Sequence, residues 1–365
     1  MPAVDVAVVG GGLAGAVSAI LLARRGLAVT LLEKEAGPAD KVCGEFLSAP
    51  ALASLEAVGV RPFELGALPI TSVRIAARGR PAACALPFRA ASLSRRRLDA
   101  ALLSAASAAG VTVLPGTTVR RVTRDGAHWQ VEGGPATLAS RHVLLATGKS
   151  DLKARRRPAG LHDGMVGLKR YCTPTTQPDP TVDVVLFPGG YCGIQPVEGN
   201  RLNVCLAVSA KALKDAGGPD GVFELMERAA PHARDLLADA SFAGATLAVG
   251  RVPYGFVRRT TDGPFYLGDQ AAVIASVCGE GMGLALRSGV MAAEAIAAER
   301  PPSAFQSDFA NLAGRRVRTT ALMSRALCTA ALQPAIVAAA RYVPGAMRAV
   351  SAIVRTPGAA IHSPR

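Results

Sequence analysis

Val4-Asp5-Val6-Ala7-Val8-Val9-Gly10-Gly11-Gly12-Leu13-Ala14-Gly15 is the stretch on which the reading of this chain turns. Its first half is a short apolar run rich in valine, which predicts a buried parallel strand. Gly10, Gly12 and Gly15 then satisfy G-x-G-x-x-G. A helical stretch follows with Ala16, Ala19, Leu22 and Ala23 on one face, and Gly26 ends it. Ala28 to Leu32 predicts a second apolar strand, closing on Glu33. Each glycine has a separate task. Gly10 permits the tight strand-to-helix turn, Gly12 lets the backbone approach a pyrophosphate, and Gly15 lets helix and strand pack closely. The free N–H groups at the helix start face the phosphates, helped by the helix dipole. Glu33, about 20 residues on, is placed to accept hydrogen bonds from ribose hydroxyls. A G-x-G-x-x-G alone is weak; with strand, turn, helix, strand and terminal acid in register, it predicts a dinucleotide site.

Working outward, 365 residues suffice for a large core and two domains, and with half of them hydrophobic and 19% charged the chain is not disordered. The first apolar run is short and already used as a strand, so no signal peptide is expected. The uncharged run Ala326 to Ala340 contains Gln333 and Pro334 and is too short to span a bilayer. The seven cysteines (Cys43, Cys84, Cys172, Cys192, Cys205, Cys278, Cys328) are odd in number, scattered and without a CxxC pair. That favours a reducing cytoplasm over structural zinc or a disulfide framework, and no metal site is expected. The net charge of +14 comes mostly from arginine. It fits either a compositional bias or attraction to something acidic, such as a carrier protein, a diphosphate or an anionic membrane. The dispersed arginines and few aromatics argue against nucleic acid.

Further down the chain, Lys41-Val42-Cys43-Gly44-Glu45 lies in the loop after the second strand, a loop that returns toward the cofactor in this kind of fold. Residues 50–60 read as helix, and 69–87 as short β pieces of an inserted sheet. Ser94 is a plausible N-cap for a helix through Ala109. Val111 to Leu114, Thr117 to Val122, Trp129 to Val131 and His142 to Ala146 read as strands, the last ending at Thr147-Gly148. Val182 to Phe187 and Leu202 to Val208 read as strands on either side of the Gly- and Pro-containing segment Pro188 to Gly199, with one helix near Gly221 to Ala229. Phe265 to Leu267 leads to Gly268-Asp269, and Gly279-Glu280-Gly281 opens a helix. From Ser303 on, the chain reads as helical and is nearly free of acid.

Taken together, Gly10/Gly12/Gly15 with Glu33, Arg95-x-x-Leu98-Asp99, Ala146-Thr147-Gly148, Gly268-Asp269 and Gly279-Glu280-Gly281 resemble the FAD-dependent oxidoreductases of the para-hydroxybenzoate hydroxylase superfold. Lys41-Val42-Cys43-Gly44-Glu45 is similar to the cysteine-glycine loop of its geranylgeranyl reductase branch. The resemblance covers roughly residues 1–300. It implies an α/β fold: a Rossmann-type FAD-binding domain (1–68 with 92–160 and 250–300), an inserted mixed or antiparallel β-sheet substrate domain (69–91 with 161–249), and a C-terminal helical segment (301–365). The FAD set it implies is Gly10, Gly12, Leu13, Ala14, Gly15, Glu33, Lys34, Gly44, Arg95, Val119, Thr147, Gly148, Gly268, Asp269, Gly279, Gly281 and Met282. Within that set Arg95 would lie near the pyrophosphate, with a solvated helix end as its bland alternative. Val119 would flank the adenine through its backbone. Asp269 would bond the ribityl chain or ribose, or serve as a helix cap. The N–H groups of Gly279 to Met282 would face the N1–C2=O edge of the flavin, where a helix start stabilises the negative charge of reduction.

The departures also speak. Thr147-Gly148 stands where aromatic hydroxylases resemble Asp-Gly. Tyr191-Cys192-Gly193-Ile194-Gln195-Pro196 matches the reductases' Tyr-x-Trp-x-Phe-Pro at Tyr191 and Pro196, with Gly193 and Gln195 in place of Trp and Phe. Tyr191, Gly193, Gln195 and Pro196 are therefore expected at a substrate wall that is less aromatic and wider. The single tryptophan, Trp129, lies elsewhere, which argues against halogenation. No second G-x-G-x-x-G follows a strand, so electrons would come from transient NAD(P)H docking or a redox partner.

The expected function is an FAD-dependent oxidoreductase reducing or oxidising carbon–carbon bonds of an apolar isoprenoid or polyketide-like substrate, with Cys43 near the reacting face or as an idle loop cysteine. The alternative is a flavin monooxygenase hydroxylating an aromatic or polyketide product; a third reading is a flavin-binding electron carrier. The expected location is cytoplasmic, with peripheral membrane contact open. After Asp308 there is no acid, while Arg315, Arg316, Arg318, Arg325, Arg341, Arg348 and Arg355 follow among Ala, Leu, Ile, Val and Met. Such a tail suits a basic amphipathic helix at an anionic membrane or a helical cap on the FAD-binding domain.

Overall fold

The computed structural model describes residues 4–134, 136–343, 345 and 347–349. β1 (Val4–Val9) leads through the glycine turn into α1 (Leu13–Ala23), and β2 (Val29–Leu32) returns beside β1. A short β3 (Phe46–Leu47) precedes α2 (Ala49–Ala57), and β4 (Leu68–Ala76) pairs with β5 (Ala82–Ser92). α3 (Arg95–Ala108) opens on Ser94, whose hydroxyl accepts from the Arg97 N–H, so the predicted cap is present. Then come β6 (Thr112–Leu114), β7 (Val119–Asp125), β8 (His128–Gly133), β9 (Ala136–Leu145), β10 (His162–Thr173), β11 (Thr181–Phe187), β12 (Gly190–Val197) and β13 (Arg201–Ser209). The helices α4 (Ala210–Asp215), α5 (Pro219–Ala229) and α6 (Pro231–Leu237) precede β14 (Ser241–Tyr254) and β15 (Phe265–Tyr266). The chain continues through α7 (Gly281–Ala297), α8 (Pro302–Cys328) and α9 (Gln333–Tyr342).

The first sheet runs β6-β2-β1-β9-β8-β7, with β15 beside the end of β9. β6, β2, β1, β9 and β15 are parallel, and β9-β8-β7 folds back as an antiparallel meander. Its central strands are covered on both faces, which is why Val6, Val8, Leu31 and Leu144 belong to unbroken apolar runs. The second sheet has eight strands, ordered β14-β10-β13-β12-β11-β4-β5-β3. Its neighbours are antiparallel except β11 with β4. The two sheets with their helices are the mixed α/β architecture expected from the sequence.

Three details differ from expectation. The segment Pro188 to Gly199 contains a full strand, β12. Pro196 is tolerated there because β11 pairs only as far as Ile194; in the ladder Pro196 pairs with β13 alone, and its carbonyl accepts from the Ser92 hydroxyl of β5. One helix was expected near Gly221, and three are present. α4 starts on the Ser209 hydroxyl, which accepts from the Ala212 N–H, while α5 and α6 each begin with proline. Val222, Phe223 and Met226 of α5 and Ala233 of α6 cover one face of the second sheet over Phe187, Ile194 and Val204. Finally, β3 and the last residues of β14 add to the second sheet positions that the sequence division put with the first.

The tail is packed. Phe305, Phe309, Ala313 and Val317 of α8 sit in the core of the first sheet. Ala321 and Leu327 of the same helix, with Val337 of α9, join Met165, Leu186 and Tyr254 against the second. Arg315, Arg318, Arg325 and Arg341 are exposed on the opposite side. The helical cap therefore holds for these residues, and Arg355 lies outside the described residues. No single helix among the described residues is long and apolar enough to cross a membrane; α8 and α9 pass that test only as a pair bent by 113°.

Candidate functional site

The glycine turn is built as its spacing predicts. Gly10 has φ +105°, and a Cβ there would stand 2.5 Å from the Ala146 carbonyl oxygen. A Cβ on Gly15 would stand 2.0 Å from the Gly10 oxygen, so this contact admits only glycine. Gly12 differs: its backbone is extended (φ −73°), and a Cβ would meet only Arg95 Nη2, at 3.5 Å. Its open side faces a cavity of about 550 Å³ that lies between the two sheets. This is a cradle that a side chain would fill, beside a helix N-terminus and a guanidinium, and it fits a dinucleotide phosphate. Glu33, at the end of β2, is buried against the turn and accepts from the Gly11 N–H at 2.6 Å and the Glu35 N–H at 3.1 Å.

Leu13, Ala14, Gly44, Arg95, Gly148, Gly268, Asp269, Gly279, Gly281 and Met282, all expected at FAD, line this cavity together with Gly12 and Cys43. Tyr191, Gly193 and Gln195 line it from β12. The others do not. Gly10 and Gly15 are packed within the turn. Lys34 is exposed and pairs with Glu35 at 3.4 Å. Val119 begins β7 and packs on Gly133. Thr147 donates to the Ser150 carbonyl. Pro196 is corrected by strand period: Tyr191, Gly193 and Gln195 alternate toward the cavity, so Pro196 points with Cys192 and Ile194 to the other face.

The polar end of the cavity is charged and tightly tied. Arg95 forms a two-point pair with Asp99 (2.8 and 2.9 Å), and Lys41 reaches the same carboxylate at 2.8 Å. Burial pushes the Asp99 carboxyl up, but Arg95 and then Lys41 outweigh it and hold its pKa below the usual range. Lys149 donates to the Val42 carbonyl at 3.3 Å and stands 3.6 Å from Asp269. Burial alone would lower the Lys149 pKa, but Asp269 holds it above the ordinary lysine value.

Beneath the cysteine loop lies an ion pair that the sequence reading missed. Lys169 Nζ and Glu45 Oε1 are 2.6 Å apart with both side chains fully buried. Tyr171 donates to Glu45 at 2.8 Å, and the Arg95 N–H donates to the same carboxylate at 2.8 Å. Burial pushes the Glu45 carboxyl up, and the nearby Lys169 charge only partly offsets it. Glu45 has φ +61°, a left-handed backbone that glutamate adopts only when held. Asn203 donates to the Cys43 carbonyl at 3.0 Å, and the Glu45 N–H points to Cys43 Sγ at 3.4 Å. Lys169, Tyr171 and Asn203 of the second sheet thus clamp the loop that presents Cys43 to the cavity. The available signal was a lysine and a tyrosine two apart, and so on one face of a strand.

Away from this end the cavity is apolar. Val73, Ile75, Leu86 and Phe88 come from β4 and β5, and Met323, Leu327 and Ile336 from α8 and α9.

Comparison with known proteins matches residues 3–137 to the FAD binding domain family. The digeranylgeranylglycerophospholipid reductase 2 of Methanopyrus kandleri is 31% identical over 319 residues, covering 81% of this chain and 77% of that protein. The tryptophan 2-halogenase of Chondromyces crocatus is 28% identical over 323 residues, covering 79% of this chain and 60% of that one. Among solved structures, the flavin-dependent brominase Bmp2 superposes with a TM-score of 0.80 at 17% identity, covering 97% of this chain and 93% of that one. At that identity the likeness carries the fold alone.

Proposed function

The chain belongs to the FAD-dependent oxidoreductases, and we propose that it reduces carbon–carbon double bonds in an apolar, isoprenoid-like substrate. The observation that carries this reading is the lining of the cavity between the two sheets. It begins at the open side of Gly12 and the start of α7, and ends in a wall of Val73, Ile75, Leu86, Phe88, Met323, Leu327 and Ile336. An extended hydrocarbon suits such a wall, since apolar burial supplies affinity without polar anchors. The names of the reductase relatives point the same way.

When bound, FAD supplies the hydride chemistry. The protein's own residues bind and orient. Gly12, Leu13 and Ala14 would hold the phosphates with Arg95. Asp269 would take a ribityl or ribose hydroxyl. The N–H groups of Gly281 and Met282 would stabilise negative charge on the ring. Cys43, held by the Lys169–Glu45 clamp, shapes the wall next to the ring, and α8 with α9 keeps water from the hydrocarbon. Reducing equivalents come from transient NAD(P)H docking or a redox partner. We also infer peripheral contact with an anionic membrane, because exposed Leu322, Leu332, Tyr342 and Val343 accompany the exposed arginines of α8 and α9.

The test is anaerobic turnover of geranylgeranyl-bearing lipids with chemically reduced enzyme, followed by mass spectrometry. Gain of two hydrogens per double bond supports the reading. Turnover that needs oxygen and places labelled oxygen in the product would replace it with the monooxygenase alternative.

A further inference from the structure

One wall of the cavity carries a string of hydroxyl groups that leads out of it. Tyr254 Oη and Ser276 Oγ stand 2.8 Å apart, and Tyr191 Oη lies 3.1 Å from the same Ser276 oxygen. Ser324 of α8 donates to Tyr191 Oη at 3.3 Å, and His162 Nδ1 lies 3.1 Å from Ser324 Oγ. Tyr254, Ser276 and Tyr191 line the cavity, while Ser324 is fully buried. His162 is half-buried at the start of β10, next to exposed Leu161. The chain thus runs unbroken from an imidazole near solvent to a phenol at the cavity.

Packing does not require these groups. Their neighbours are Met165, Val252, Ala321 and Leu327, among which phenylalanine and alanine would serve as well. Buried hydroxyls are costly unless paired, and here each is paired with the next. The cavity end of the string lies on the apolar wall with Leu327, within reach of the Lys149 charge. Burial raises the Tyr254 phenol above its usual pKa, and both the Ser276 hydrogen bond and the Lys149 ammonium oppose that rise. Lys149 is the same cation that stands beside Asp269.

We propose that Tyr254 donates the proton of the reduction and that Ser276, Tyr191, Ser324 and His162 relay its replacement from solvent. The donor role rests on the reductase reading above; the relay does not. Saturating one double bond takes a hydride at one carbon, from the reduced flavin as reductant, and a proton at the other. The Tyr254 O–H bond breaks and its electron pair stays on oxygen as a phenolate, which the Lys149 charge favours. The proton and the π electrons form the second C–H bond. Each hydroxyl then passes its own proton one step inward, from Ser276 to Tyr254, Tyr191 to Ser276, and Ser324 to Tyr191. His162 gives Nδ1–H to Ser324 as water protonates Nε2 and leaves hydroxide in solvent; exchange of the imidazole protons with water then returns the proton to Nδ1 for the next turn. Arg325 of α8 and Tyr254 of β14 are the charged and titratable groups shown facing this imidazole. Burial, then Arg325, lower its pKa below the usual 6.5. Tyr254 and Tyr191 act at the cavity wall, and His162 is a relay residue that acts through Ser324.

The experiment reads the relay directly, without turnover. In FAD-loaded protein carrying ring-labelled tyrosine, the exchange of the Tyr254 hydroxyl proton with water is measured by NMR in mixed H2O and D2O. His162→Gln and Ser324→Ala should each slow it about tenfold or more, and free imidazole should restore it in His162→Gln. Unchanged exchange in both variants would overturn the relay. In parallel, Tyr254→Phe should keep FAD and cut geranylgeraniol reduction by roughly a hundredfold. Full activity of that variant would overturn the donor assignment. A wild-type enzyme that reduces no prenyl chain but shows the His162-dependent exchange would remove the reductase reading and leave the relay standing.

Discussion

Gly12 and Gly15 are three positions apart and should fail differently. Gly12→Val keeps an allowed backbone and projects into open space, so the protein should fold and purify without FAD, as absorbance against circular dichroism would show. Gly15→Ala drives a methyl into the Gly10 carbonyl and should lower stability by several kcal/mol, on the order of an overpacked core. If Gly12→Val stays fully yellow, the cofactor lies elsewhere. The buried Lys169–Glu45 pair permits a second comparison. Lys169→Met leaves a carboxylate in an apolar site and should cost about 3–5 kcal/mol, while Lys169→Met with Glu45→Gln should recover much of it. Urea unfolding of the three proteins settles the comparison. Asp99 sets the acid response. Its folded pKa lies below the ordinary 3.8, so its stabilisation is present above that value and is lost as pH falls through the lower folded value. Asp99→Asn should therefore be less stable than wild type at pH 7 and converge with it under strong acid. At this scale the sequence disclosed residues whose role is local, such as Gly10, Gly15 and the Ser94 cap. It did not disclose Lys169 or Tyr171, because their partner Glu45 is over a hundred residues away and only the fold brings them together.

Among elements, β12 and the pair α8–α9 supply walls of the cavity. Gly193 faces the cavity with only the Cys205 carbonyl near a Cβ, at 3.8 Å, so Gly193→Trp has room to enter without moving backbone. It should shorten the prenyl chain accepted while leaving FAD bound; an unchanged chain-length profile would mean that substrate lies along another wall. Motif matching grouped Tyr191 with Pro196, but a strand sends odd and even positions to opposite faces, and only the odd set reaches the cavity. The parallel strands were legible because they are short, apolar and punctuated by glycine. β12 was not, because its glycines and proline resemble a loop until β13 is seen beside it. The tail was legible as helix but not as wall, since an arginine-rich helix presents the same pattern whether its apolar stripe meets lipid or protein.

For the whole molecule, the two sides of α8 differ. Its inner stripe is core, and its outer side carries arginines with exposed Leu322. Full-length protein should co-sediment with anionic vesicles and release as salt rises, and exchanging Leu322, Leu332 and Tyr342 for serine should abolish that binding while FAD and fold remain. Binding that survives the exchange would place the contact elsewhere. The second sheet has one more consequence. Its parallel seam aligns Thr181 with Ser72, and β3 to β5 reach it long before β10 to β14 exist on a growing chain. Those early strands must wait, edges unpaired, until the later half is synthesised, so folding is governed by distant pairings and should be slow. A chain cut in the loop after β9 would leave each half with an unfinished sheet, and the two pieces would acquire structure only when mixed.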